Sequence, residues 1–127
     1  MRFKTIATIA GILTFVNAVF FLLAPVFSLR LLGHETNPTG IMITRISGAC
    51  ALGLSVMTWL ARDTQAPQVR RLVSYGMLTA FGVLVVIDLA GILSGAVNGM
   101  GWLIFFADLF LSTGFLLSIF TDRGRQQ

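Results

Sequence analysis

The run Leu72-Val-Ser-Tyr-Gly-Met-Leu-Thr-Ala-Phe-Gly-Val-Leu-Val-Val-Ile-Asp88-Leu-Ala-Gly-Ile-Leu93 decides the fold, because it is continuous, apolar and broken by a single charge. At 1.5 Å per helical residue it covers the roughly 30 Å hydrocarbon core of a bilayer. Working outward, Thr5–Ala24, Ile41–Ala61 and Trp102–Phe120 share its character. Each again carries one strongly polar residue: Asn17, Arg45 and Asp108. The sequence therefore predicts an all-α integral membrane bundle of four transmembrane helices, up-down-up-down, in a single domain over 1–127.

Composition agrees. Of 127 residues, 56% are hydrophobic and only 11% charged, with a mean hydropathy of +0.88; a soluble domain has about a quarter of its residues charged. The net charge of +4 does not point to nucleic acid, because the basic residues stand at span ends. Arg2 and Lys4, then Arg62, Arg70 and Arg71, then Arg123 and Arg125 all fall on one side of an up-down-up-down chain, against Arg30 on the other. The positive-inside rule places that side, with both termini, in the cytoplasm of a cell whose plasma or inner membrane holds the protein. These arginines are expected to meet membrane lipids. Met-Arg-Phe-Lys imitates the start of a secretory signal and Val16-Asn17-Ala18 a cleavage site, but the apolar run continues through Val19 to Ala24, so an uncleaved first span is expected.

The connections have their own chemistry. Pro25 ends the first span, and Pro25 to Gly33, apolar around Arg30, reads as a short outer interfacial helix. Asn37 is placed to cap a helix whose first residue is Pro38. Thr64-Gln-Ala-Pro67 makes a similar entry to the third span, and Asn98-Gly-Met-Gly101 breaks the chain before the fourth. Trp59, Tyr75 and Trp102 fit the aromatic belts of the two interfaces. Within the second span, Ala49 and Gly53 form a small-x-x-x-small pair, expected as packing glue inside the bundle. Cys50, the one cysteine, is expected to be a small buried residue, and it forms no disulfide or thiolate cage within one chain.

Helical rise from the predicted outer ends puts Asn17 about 10 Å deep, Asp88 roughly 8 to 10 Å, Arg45 roughly 6 to 10 Å and Asp108 about 10 Å. One buried polar layer is the expectation, a candidate ligand or proton site in which Arg45 pairs with Asp88 or Asp108. Thr14, one turn before Asn17, and Ser112, one turn after Asp108, are expected to line the same small cavity. Two aspartates against one arginine leave an excess negative charge, so one carboxyl is expected to be protonated or to bind a cation or a hydroxyl-bearing ligand. No catalytic residue or metal site is assigned and no cofactor is implied: His34 is the sole histidine, set in a loop beside Glu35, and the isolated hydroxyls have no histidine base.

Arg45-Ile-Ser-Gly-Ala-Cys-Ala-Leu-Gly53, then Trp59-Leu-Ala-Arg62, and Gly91-Ile-Leu-Ser-Gly95 ahead of Gly101-Trp102 resemble small bacterial four-helix membrane proteins of the broad DoxX-like kind. That resemblance implies the same fold over nearly the whole chain, and company with redox or sulfur-oxidising enzymes. The small multidrug transporters are similar in length and span count, but they carry a glutamate in the first span where Asn17 stands here. The first functional expectation is a non-enzymatic accessory or assembly subunit whose arginine and aspartate layer locks the bundle, with a membrane protein partner or a homo-oligomer. The second is a small transporter or ligand-binding protein that uses the outer-half carboxylates for a proton, a cation or a lipid-like molecule. A third is a subunit of a lipid- or quinone-processing enzyme.

Overall fold

A computed structural model describes residues 2–124, with side chains as far as 121; the Arg123 side chain and Arg125, counted above among the basic residues, lie outside the described residues. The chain forms α1 (Phe3–Leu23), α2 (Pro25–Leu31), α3 (Pro38–Ala61), α4 (Pro67–Leu93) and α5 (Gly101–Gly124). The four long helices are long and apolar enough to cross a membrane, and together they form the expected four-helix bundle of a multi-pass membrane protein. Residues such as Leu23, Leu60, Leu72 and Leu93 stand bare on its surface, as lipid-facing side chains do.

Three prolines set the helix starts. Pro25, Pro38 and Pro67 each occupy the first turn, where the missing N–H costs nothing. Asn37 caps α3 as expected, its Oδ1 accepting from Gly40 N at 2.7 Å. The ends of α2 and α4 are also matched. At each a glycine with positive φ, Gly33 or Gly95, lets the chain turn back, and the next residue donates to a carbonyl five residues earlier, His34 N to Leu29 O at 2.9 Å and Ala96 N to Gly91 O at 3.0 Å.

The helices associate as two pairs, α1 with α3 and α4 with α5. Lipid tails are as apolar as leucine, so close van der Waals contact drives this pairing. On α3 the seam is Thr44, Gly48, Ala51, Ser55 and Thr58, spaced four and three apart. At Gly48 a Cβ would stand 2.9 Å from Phe21 Cβ and 3.2 Å from the Ala18 carbonyl, so only glycine admits this approach. Ser55 Oγ donates to Gly11 O across the seam at 2.9 Å.

Two expectations about α3 need correction here. Gly53 has nothing within 4 Å of the place a Cβ would occupy, and Ala49 is exposed, so this small pair is not glue inside the bundle. Cys50 is likewise exposed rather than buried. At about 100° per residue, Ala49 and Gly53 fall on the side of the helix away from the Gly48 seam.

The two pairs meet on the side of the membrane where α1 begins and α5 ends, called here the terminal side. Phe3, Ile6, Ala7 and Ala10 of α1 join Ala61, Val73, Met77, Phe81, Leu111 and Phe115 in one core. Thr58 Oγ1 lies 3.4 Å from Met77 Sδ and so links α3 to α4. On the far side the pairs are tied through Asn98, whose N donates to Leu32 O at 3.1 Å and whose Nδ2 donates to Leu31 O at 2.9 Å.

Candidate functional site

The inner faces of α4 and α5 form a ladder of paired residues. On the terminal side the Ser74 and Ser118 hydroxyls lie 3.3 Å apart. In the middle the Phe81 and Phe115 rings stack with centroids 6.4 Å apart. Ser112 Oγ lies 3.8 Å from the place a Cβ on Gly82 would take. Toward the far side the Asp88 and Asp108 carboxyls come within hydrogen-bonding reach of each other. The spacing explains the meeting. Phe81 and Asp88 are seven residues apart on α4, as are Asp108 and Phe115 on α5, and a separation of seven returns a side chain to nearly the same helix face.

Both carboxyls are partly buried. Asp88 Oδ2 is fully enclosed, and no N–H or O–H of the described residues donates to it. Ionised carboxylates only accept hydrogen bonds, so the two can bond to each other only when the pair holds a proton. The arrangement offers a proton site, or two oxygen-rich ligands for a cation that replaces that proton.

The other expected members of the layer are elsewhere. Asn17 and Arg45 are both exposed, and the ion pairs among the described residues do not include Arg45. Arg45 follows Thr44 of the α3 seam, about 100° round the helix, which takes it off the face that meets α1. Thr14 is buried with an unpartnered Oγ1, whereas Asn17 faces outward, so the two do not share a cavity wall. The structure thus brings Asp88 and Asp108 together, places Ser112 one helical turn below Asp108, and leaves Asn17 and Arg45 apart from them.

The terminal side carries a different set of charges. Lys4 Nζ lies 2.6 Å from Asp63 Oδ1, and Arg62 Nε lies 3.0 Å from Asp63 Oδ2. The Lys4 hydrogen bond, followed by that of Arg62, holds the Asp63 carboxyl below the usual carboxylate range. Arg62 also lies over the Trp59 ring at 3.5 Å. Arg70 Nε donates to Thr64 O at 2.8 Å, so this basic residue organises the α3–α4 turn. Sequence reasoning missed the Asn98 tie and the Ser55 and Ser74 bonds. Ser55 keeps three- and four-residue spacing with Thr58 and Ala51, but small residues on the other faces of α3 hide that stripe, and nothing local marks Asn98 as a partner of Leu31 and Leu32.

Among the described residues, no three His, Cys, Asp or Glu side chains gather as a metal site would require. Comparison with protein-family models, curated proteins and solved structures finds no match to this chain.

Proposed function

We propose that this small membrane protein handles a proton or a small cation at the Asp88 and Asp108 carboxyls, acting as a transporter or ligand-binding protein of the plasma or inner membrane with both termini cytoplasmic. One observation carries the reading: two carboxyls on adjacent spanning helices face each other without an intervening cationic side chain. A carboxyl within the bilayer is costly and commonly marks an ion or proton path. The accessory-subunit reading leaned on an arginine and aspartate lock. With Arg45 on another face, the paired carboxyls lack the cation such a lock needs, and the proton or ligand reading takes precedence. Membership of the broad DoxX-like grouping is also proposed, on the Arg45 to Gly53, Trp59 to Arg62 and Gly91 to Gly95 segments alone.

The test is flux in proteoliposomes. Native protein should dissipate an imposed proton or monovalent-cation gradient, and folded Asp88→Asn and Asp108→Asn variants should fall to the level of empty vesicles. Native-like flux in both variants, or none from the native chain, would remove the carboxyls from the mechanism.

A further inference from the structure

Arg45 is a charge within a span that the bundle leaves outside its packing. It lies on an open face of α3 in a shallow groove of about 550 Å³ lined by Pro38, Ile41, Met42, Arg45, Ile46 and Ala49, an apolar lining except for the guanidinium. Among the described residues Arg45 joins no ion pair. Side chains on a helix lean toward its N-terminus. The N-terminus of α3 is its far-side end, so a stem that leans this way takes the Arg45 charge toward the membrane interface. Below it, Ala49 is small and Gly53 has open space beside it. The groove reaches down the helix as far as Ala49, and no side chain blocks the surface beyond it at Gly53.

We propose that this face of α3 is a binding site for an anionic phospholipid, with Arg45 forking the headgroup phosphate and one acyl chain lying along Ile46, Ala49 and Gly53. A guanidinium matches phosphate oxygens with two parallel N–H donors. Charge complementarity favours a lipid over a second copy of the chain. Of the described carboxylates, Asp88 and Asp108 face each other and Asp63 is held by Lys4 and Arg62 on the opposite side, which leaves Glu35, in the segment before α3, as the far-side carboxylate a second copy could offer. Phosphate is the anion that every bilayer supplies at the level the Arg45 head reaches.

The experiment is native mass spectrometry of the full chain released from vesicles of equal phosphatidylglycerol and phosphatidylcholine. Native protein should retain phosphatidylglycerol over phosphatidylcholine by about fivefold, the equivalent of one arginine attracted to an anionic lipid surface. Arg45→Gln should lower that preference by about the same factor, leaving only what the span-end arginines supply, while Arg30→Gln, an exposed arginine of α2, should keep it. Ala49→Leu fills the groove without touching the charge, and it should lower retention of both lipids. An unchanged preference in Arg45→Gln would overturn the proposal. So would a native dimer that Arg45→Gln dissolves, because the face would then belong to a second copy.

Discussion

The terminal-side half of the bundle and the far half are built on different principles. In the first, all four helices contribute to one core, Phe3 and Ile6, Ala61, Met77 and Phe81, and Leu111 and Phe115, and the Ser74 and Ser118 hydroxyls meet. In the second, the helix pairs are held by the Asn98 tie, and the spans carry Asn17, Arg45, Asp88 and Asp108, of which the aspartates meet. The contrast separates what holds this protein together from what it has available for chemistry. A polar group in the far half need not belong to the packing in order to persist there.

The largest expected effect breaks the terminal-side core. Phe115 is fully buried, so Phe115→Ala should cost about 3 to 5 kcal/mol by opening a cavity, read as loss of unfolding free energy in bicelles. Leu103, 65% exposed on the far half of α5, should tolerate replacement by alanine within about 0.5 kcal/mol. Equal losses would erase the distinction between the halves.

Next in size is the α1–α3 seam. Gly48→Ala drives a methyl into Phe21 and the Ala18 carbonyl and should cost about 1 to 3 kcal/mol. Gly53→Ala, in open space, should be neutral or gain up to about 1 kcal/mol from helix propensity. Asn98→Ala should cost about 1 kcal/mol for its lost hydrogen bonds. It should also speed amide exchange at the far-side turns while leaving the terminal side unchanged.

The smallest effect is at Asp63. Its carboxyl is held below the usual range, so its contribution to stability is complete above that range and is lost as pH falls through its folded value. Native protein should therefore lose more stability between neutral pH and about pH 3 than Asp63→Asn, in thermal melts at low salt. A larger acid loss in the variant would contradict the Lys4 and Arg62 contacts.

Much of this architecture was legible in the sequence. Hydropathy located the spans, and their boundaries shifted most where polar turns flank the apolar run: the third span reads as Leu72–Leu93 but the helix begins at Pro67, and the fourth reads as ending at Phe120 but the helix runs on to Gly124. Asn37 before Pro38 announced its own cap. Rotation about the helix axis was not legible. Around Gly48, α3 carries small residues on every side, Ser47, Ala49, Cys50, Ala51 and Gly53, so no stripe of them singles out the face that meets α1. Depth along the spans grouped Arg45 with the aspartates, but depth says nothing of azimuth, and azimuth separates them. On α4 and α5, by contrast, the aspartates share seven-residue spacing with the stacked Phe81 and Phe115, a signal present in the sequence once the two helices are known to be neighbours.

The most direct test of the central claim is infrared spectroscopy of the protein in bilayers at neutral pH, read at the carboxylic acid carbonyl stretch. A carboxyl pair that holds one proton predicts a band in the native protein that either Asp88→Asn or Asp108→Asn removes or displaces. Absence of the band, or its survival unshifted in both variants, would contradict the pairing and the proton or cation chemistry built on it.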